Sequence, residues 1–148
     1  MVEELRLIHH DELGQLLELY RLLHPGDPDV RDNPGLKRLW GEICNDRNIF
    51  YPVVSIDSRI VSSCTMMIVP NITRNLRPYG LIENVITHPD YRKMGYGTKV
   101  LRKAVEIARE RGCYKVMLLT GRKDEDTLRF YERAGFTRGT KTGFIVNL

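Results

Sequence analysis

A predicted strand, a turn rich in glycine and basic residues, and a predicted amphipathic helix follow one another directly between Tyr79 and Arg111. The stretch YGLIENVIT predicts the strand, and TKVLRKAVEIARER predicts the helix. The turn HPDYRKMGYG places Arg92, Gly95 and Gly97 directly before the helix. The first backbone N–H groups of a helix lack internal partners and carry partial positive charge, and glycine lets a ligand approach them. The sequence therefore predicts a turn that binds phosphate or pyrophosphate.

Two common glycine fingerprints do not fit this turn. A dinucleotide-binding turn requires G-x-G-x-x-G, but Val100 stands in place of the third glycine. A P-loop requires a glycine five residues before Gly97, and none is present there. What remains is the spacing Arg92-x-x-Gly95-x-Gly97 between a strand and a helix.

This spacing resembles the coenzyme A pyrophosphate loop of the GCN5-related N-acetyltransferase (GNAT) superfamily. HPDY before the loop and FYERAGF at 130–136 stand where that family has similar segments. The resemblance covers roughly the last seventy residues, and the first half of the chain matches only in its order of elements.

Length and composition indicate one domain, 1–148, of ordinary soluble character. Hydrophobic residues make up 42% and charged residues 28% of the chain. No run of eighteen apolar residues and no signal-peptide pattern is present, so we expect no membrane span. Cys44, Cys64 and Cys113 are far apart and form no metal-binding spacing with the four histidines. The sequence therefore predicts reduced thiols, a cytoplasmic location and no metal.

Positive charge is concentrated between Arg92 and Lys123, a stretch that contains ten basic residues and only two acidic ones. Most of these basic residues are explained by a helix surface that faces solvent. The functional alternative is that they create a positive electrostatic field, which would attract a polyanion such as coenzyme A. A nucleic-acid surface is not favoured, because aromatic interleaving, helix-turn-helix and zinc spacings are absent.

The predicted order of elements is β-α-α-β-β-β-α-β-α-β-β, which favours a mixed sheet flanked by helices on both faces. The same order is found in the GNAT fold, whose mostly antiparallel sheet contains a splayed strand pair that forms the acyl-CoA cleft. The resemblance implies that the strand at 79–87 splays from the strand at 116–120. The predicted elements are Leu5–His9, Asp11–Leu23, Leu36–Cys44, Phe50–Ile56, Ile60–Val69, 79–87, Gly97–Arg111, Val116–Thr120, Glu125–Ala134, Phe136–Arg138 and Phe144–Val146, the last two closing the sheet.

The resemblance also implies which residues hold acetyl-CoA. Backbone N–H groups of the loop would bind the pyrophosphate, and the end of the strand would pair with the pantetheine. A bulky residue at Gly95 or Gly97 is therefore expected to abolish cofactor binding while the fold stays largely intact. The family often has asparagine where this chain has Asp124, and an anion is a poorer fit to coenzyme A. The implied cofactor residues are Val85, Ile86, Thr87, Arg92, Lys93, Met94, Gly95, Tyr96, Gly97, Thr98, Asp124 and Tyr131.

Two residues are candidates for acid–base chemistry. Glu83 is expected on a largely buried strand, where burial would raise its pKa towards a useful value for a general base. The alternative is a structural ion pair with Arg74, Arg77 or another arginine. Tyr131 in FYERAGF stands where the family has the tyrosine that protonates the leaving thiolate, and the alternative is a core aromatic residue.

The resemblance implies transfer of acetyl from acetyl-CoA to a primary amine of a small molecule. Direct attack in a ternary complex is favoured, because no cysteine stands in a recognisable nucleophile setting. The chain length and the Ile-Glu-Asn segment at 82–84 resemble those of acetyltransferases acting on amino sugars or aminoalkylphosphonates. Arg74 and Arg77 could recognise an acidic acceptor, and exposed loop arginines without such a role are the alternative. Protein N-terminal or lysine acetylation and a non-catalytic acyl-CoA-binding regulator remain alternatives, and a homodimer is an open option.

Overall fold

The computed structural model describes residues 1–148, which form six strands and five helices. Two further 3₁₀ turns, His10–Glu12 and Pro89–Tyr91, precede the first and fourth helices. The elements in chain order are β1 Glu3–Leu7, α1 Leu13–Leu23, α2 Leu36–Asn45, β2 Ile49–Phe50, β3 Pro52–Ile56, β4 Arg59–Val69, α3 Thr73–Leu76, β5 Tyr79–Thr87, α4 Tyr96–Glu110, β6 Val116–Leu118 and α5 Glu125–Arg133.

The strands form one mixed sheet in the order β1-β3-β4-β5-β6, with β2 paired to β4. All pairs are antiparallel except β5 and β6. Adjacent residues of a strand point to opposite faces, so Val54 packs in the larger core beneath α4 while Val53 packs with Leu19 of α1. The predicted α/β architecture with helices on both faces of a mostly antiparallel sheet is confirmed.

Helix α4 lies against the centre of the sheet through one apolar stripe. Its side chains at i, i+3 and i+4 spacing face the same way, and the opposite face carries the charged residues. The fully buried members of this stripe are Val100, Leu101, Ala104 and Ala108. The stripe fixes the position of the turn that precedes α4, because that turn is continuous with the helix.

Strands β5 and β6 pair over only three residues. Gly80, Leu81 and Ile82 align with Val116, Met117 and Leu118, whereas β5 continues to Thr87 with a partner only on its β4 side. The two strands therefore separate after Ile82 and leave an open cleft between the second half of β5 and the chain after β6, as the resemblance implied.

The predicted strands at 136–138 and 144–146 are wrong. No strand follows α5, and the segment 137–148 makes no backbone hydrogen bond within the protein. Phe144 and Val146 are 91% and 81% exposed. Apolar and β-branched residues favour a strand only where a neighbouring edge pairs with them, and here the segment has not paired with β6.

Other predicted boundaries need small corrections. The first strand lies two residues earlier than expected, and the predicted strand 50–56 is divided into β2 and β3 at Tyr51. The segment 70–78, which lies between two predicted strands, contains the short turn α3, in which Arg74, Asn75 and Leu76 have positive φ. None of the helices has both the length and the apolar character needed to cross a membrane.

Candidate active site

The turn between β5 and α4 presents a row of unpaired backbone donors. The N–H groups of residues 93–98 donate to no acceptor within the protein, and the first bond of the helix runs from Lys99 N to Gly95 O. Lys93 and Gly95 have left-handed φ values of 62° and 85°. Alternating right- and left-handed residues direct consecutive N–H groups to one side, which is an arrangement that binds anions.

Gly95 and Gly97 serve different purposes in this turn. A Cβ added at Gly95 would contact nothing within 4 Å, so glycine is favoured there by its left-handed φ. A Cβ added at Gly97 would lie 2.9 Å from Phe130 Cζ and 3.3 Å from Thr87 Oγ1. A bulky residue at Gly97 is therefore expected to disturb the packing as well as the turn, because α4 and α5 approach each other at this glycine.

The end of β5 is tied to this turn by polar contacts. The Arg92 guanidinium donates to Thr87 O at 3.1 Å, and the Thr87 hydroxyl lies 2.8 Å from the Ser62 hydroxyl. His88 Nδ1 accepts a hydrogen bond from Asp90 N. Arg92 thus fixes the turn against the strand from which it leaves.

Strand β5 contains a bulge at the mouth of the cleft. Ser63 aligns with Ile86 and Thr65 with Glu83, so Asn84 and Val85 together oppose Cys64. Asn84 has a φ of 53°, a conformation that asparagine tolerates better than most residues. A bulge redirects the strand and leaves backbone groups unpaired. An asparagine within an apolar strand was the only sequence signal for it.

Glu83 lies next to the bulge and is exposed. The expectation that it is buried is wrong, since β5 has no neighbour on the β6 side beyond Ile82. It forms no ion pair with either suggested arginine. Arg77 instead donates to Gly112 O and Cys113 O, and Arg74 stacks over the Tyr114 ring. The carboxylate of Glu83 is therefore free to face the cleft.

Tyr131 is half-buried on α5, with its ring edge-on to Phe130 and Phe136 at centroid distances of 4.9 and 6.5 Å. Its hydroxyl makes no hydrogen bond within the protein. Burial raises the pKa of the phenol above its ordinary value, and the nearby Cys64 thiol and Glu83 carboxylate raise it further. The hydroxyl is consequently protonated and able to donate at neutral pH.

Asp124 has a local structural role that was not expected. Its carboxylate caps α5 by accepting hydrogen bonds from Thr127 N and Thr127 Oγ1, and it also pairs with Arg122. The contacts to Thr127, helped by Arg122, lower its pKa to about 2. Sequence reasoning missed this cap, although an aspartate directly before a predicted helix is a standard signal for one.

The described site fits the cosubstrate that the resemblance implied. The row of free N–H groups matches a pyrophosphate, and the edge of β5 that has no β6 partner beyond Ile82 matches an extended amide-bearing chain. No group of three or more His, Cys, Asp or Glu side chains is arranged to hold a metal ion.

Comparison with known proteins agrees with this geometry. The model of the acetyltransferase (GNAT) family matches residues 15–136, and the chain belongs to that family. It is 34% identical over 137 residues to glucosamine 6-phosphate N-acetyltransferase of Trypanosoma brucei brucei, covering 90% of this chain and 88% of that one. The protein is thus an acetyltransferase homologous to glucosamine 6-phosphate N-acetyltransferases.

Two solved structures illustrate the shared fold. A protein described as an acetyltransferase from Agrobacterium tumefaciens str. C58 superimposes with a TM-score of 0.92 at 40% identity, covering 98% of this chain and 99% of that chain. AAC(6')-Iy in complex with the bisubstrate analogue CoA-S-monomethyl-acetylneamine has a TM-score of 0.81 at 16% identity, covering 100% and 99%. The second comparison shows the likeness of the fold alone.

Proposed function

We propose that this acetyltransferase moves an acetyl group from acetyl-CoA to the primary amine of a small molecule by direct attack. The observation that carries the proposal is the splayed strand pair, in which β5 has no β6 partner beyond Ile82 and the turn after β5 presents the unpaired N–H groups of residues 93–98. Acetyl-CoA supplies the activated thioester when it is bound. Residues 92–98 would hold its pyrophosphate, and the backbone of Val85, Ile86 and Thr87 would align its pantetheine.

The two candidate catalytic residues have complementary proton roles. The exposed Glu83 carboxylate accepts the proton of the attacking amine, directly or through a water molecule. The Tyr131 hydroxyl, held neutral by burial, donates towards the sulfur as negative charge develops there. Both groups are in place before reaction, so little reorganisation is needed.

The burial of the Cys64 thiol supports direct attack of the amine on acetyl-CoA over a mechanism with an acetylated cysteine as intermediate. Cys64, which lies opposite the bulge in β5, is completely buried, and its pKa is raised to about 12 by burial. A thiol with such a pKa is a poor nucleophile at neutral pH. Free thiols at Cys44, Cys64 and Cys113 also support the proposed cytoplasmic location.

The acceptor class that we propose is a phosphorylated amino sugar. The support is the 34% identity to a protein named glucosamine 6-phosphate N-acetyltransferase, together with the exposed Glu83 beside the Asn84 bulge. The acceptor phosphate would need a cation other than Arg77, because that guanidinium already donates to two backbone carbonyls.

An acceptor panel tests the proposal. Purified protein and acetyl-CoA are mixed with glucosamine 6-phosphate, glucosamine, an aminoalkylphosphonate, an aminoglycoside and a lysine peptide, and release of free thiol is measured. We expect the phosphorylated amino sugar to give the highest kcat/KM. Faster turnover of the peptide would overturn the proposed acceptor class. A rise in unfolding temperature with coenzyme A but no turnover on any amine would favour the non-catalytic acyl-CoA-binding regulator.

A further inference from the structure

The face of the sheet that lies against α1 carries a cluster of polar side chains that the proposed reaction does not use. Tyr20 comes from α1, Tyr51 from the residue between β2 and β3, Thr65 from β4 and Asn84 from the bulge of β5. The Tyr20 hydroxyl lies 3.4 Å from Thr65 Oγ1, and either oxygen can be the donor. All four side chains are half-buried. Four separate elements of the chain therefore meet in one polar cluster.

The alternation of side chains along β4 and β5 places this cluster on the same face as Glu83. Cys64, Met66 and Ile82 pack in the larger core beneath α4. Their neighbours Thr65 and Glu83 therefore point to the opposite face, towards α1. Thr65 and Glu83 are directly opposite each other in the antiparallel pair. The Cβ atoms of such a pair are about 4.5–5.5 Å apart, so Thr65 is the cross-strand neighbour of the candidate base.

The hydroxyl groups of the cluster are linked to one another and to the bulge. Burial raises the pKa of the Tyr20 phenol above its usual range, and hydrogen bonding to the Thr65 and Asn84 side chains partly offsets that rise. Burial likewise raises the pKa of Tyr51, and hydrogen bonding to Thr65 and Tyr20 opposes it. Both phenols are thus neutral at physiological pH and keep a hydrogen to donate. The Tyr20 hydroxyl connects Thr65 of β4 with Asn84 of β5.

Asn84 is a residue whose conformation needs support. It has a φ of 53° within a strand, and a residue other than glycine stays in this region only where surrounding contacts hold it. The Tyr20 hydroxyl is such a contact, and it comes from a helix rather than from the strand itself. Glu83 precedes the bulged residue and Val85 follows it, so the bulge sets the direction of both.

The two tyrosines are themselves held in place by packing. The ring of Tyr51 lies edge-on to the buried Trp40 ring at a centroid distance of 5.5 Å, and Trp40 Nε1 donates to His10 O at 2.8 Å. The Tyr20 ring packs against the smaller core, whose buried members are Leu19, Val53, Ile60 and Ile86. A side chain can orient another group only when its own position is fixed, and this condition is met here.

We propose that Tyr20 and Thr65 are positioning residues for the acetyl transfer. Their hydroxyl pair holds the Asn84 bulge and thereby sets the direction of the Glu83 carboxylate. This role rests on the proposed function, since it requires Glu83 to accept the amine proton. The pair acts through β5 without touching acetyl-CoA, so its loss should lower kcat and leave the anion-binding turn at 93–98 unaffected.

The first experiment removes the two hydroxyl groups without changing the size of the side chains. Tyr20→Phe and Thr65→Val should each lower kcat about 10-fold, the usual size of a coupling between contacting side chains. The double variant should lose no more than either single variant, because one interaction is removed in all three. Thr65→Ser keeps the hydroxyl and should keep most of the activity. Turnover is measured as thiol release from acetyl-CoA with glucosamine 6-phosphate, and coenzyme A affinity by calorimetric titration should stay the same in all variants.

The matched control is Ser63→Ala. Ser63 lies two residues before Thr65 and faces Ile86 across β5, and its completely buried hydroxyl has no hydrogen-bond partner. Removing an unpartnered buried hydroxyl should leave kcat unchanged. Equal losses of kcat in Ser63→Ala and Thr65→Val would overturn the positioning role, as would additive losses in the double variant.

The second experiment follows the bulge itself and does not depend on turnover. In the free protein, Tyr20→Phe should shift the amide resonances of residues 83–86 and speed their hydrogen exchange by about 10-fold, while the amides of β1 stay unchanged. Unshifted amides would overturn the hold on the bulge, and shifted amides with a wild-type kcat would overturn the positioning role. Absence of thiol release from the wild-type protein would instead contradict the proposed function, and the amide resonances would still decide whether Tyr20 holds the bulge.

Discussion

Gly97 at the start of α4 lies against the ring of Phe130 in α5, so that a Cβ on the glycine would come within 2.9 Å of Phe130 Cζ. A real Cβ does not approach a ring carbon this closely, and Thr87 Oγ1 closes the other side at 3.3 Å. One glycine therefore sets the distance between the helix that carries the anion-binding turn and the helix that carries Tyr131.

The first prediction follows from this contact. Gly97→Ala should destabilise the protein by about 1–3 kcal/mol, the usual cost of overpacking. Adding Phe130→Leu, which removes the ring, should recover part of the loss. The control Gly41→Ala has open space around the Cβ and should be neutral or stabilising. The free energy of unfolding is measured with denaturant for the wild type and these three variants. Equal stability of Gly97→Ala and Gly41→Ala would contradict the packing role of Gly97.

The second prediction separates strain from ligand binding. Gly95→Ala and Gly112→Ala each place a side chain at a positive φ, 85° and 78°, with no contact within 4 Å. Both should lose about 1–2 kcal/mol of stability. Only Gly95→Ala should also weaken coenzyme A binding, by about 10- to 100-fold, because relaxing its backbone turns N–H donors away from the anion. Calorimetric titration is the measurement, and an equal change in affinity for both variants would speak against the anion-binding turn.

The third prediction concerns Glu83. Glu83→Gln should lower kcat by about 10² to 10⁴, since an amide cannot accept the amine proton. Stability should change little, because the side chain is exposed and forms no ion pair. Glu110→Gln, also exposed, is the matched control. A wild-type kcat in Glu83→Gln would show that Glu83 does not accept the amine proton.

The fourth prediction concerns Tyr131. Its raised pKa means that the neutral phenol is favoured in the folded protein, so the donor is lost only above about pH 10, the ordinary tyrosine value. Tyr131→Phe keeps the ring contacts and removes the donor. We expect kcat to fall about 10²-fold, with nearly unchanged binding of acetyl-CoA and a smaller loss for acyl donors with a more acidic thiol.

The matched control for Tyr131→Phe is Tyr79→Phe. Tyr79 is the first residue of β5, at the end of the strand away from the anion-binding turn, and its ring packs edge-on to Tyr114. It should retain wild-type turnover. If Tyr131→Phe also turns over at the wild-type rate, Tyr131 is a packing residue.

Elements whose signals are local were predictable from the sequence. The turn at 92–97 and the helix after it follow from glycine spacing and an apolar stripe of helical period, and both lie where expected. The pairing of β5 with β6 for only three residues is a tertiary property, and it leaves Glu83 exposed instead of buried. The strand predicted at 144–146 fails for a related reason, since strand propensity does not specify which edge is available.

Because β5 and β6 pair over only three residues, the two sides of the sheet should differ in the free energy that local opening costs. Strand β4 is hydrogen-bonded to β2, β3 and β5, whereas β6 is joined to the sheet through three residue pairs. Amides of β6 should therefore exchange with deuterium through subglobal openings that cost less free energy than those of β4. The half of the cleft that carries Tyr131 would loosen first, and coenzyme A, by bridging both halves, should slow exchange in β6 far more than in β4.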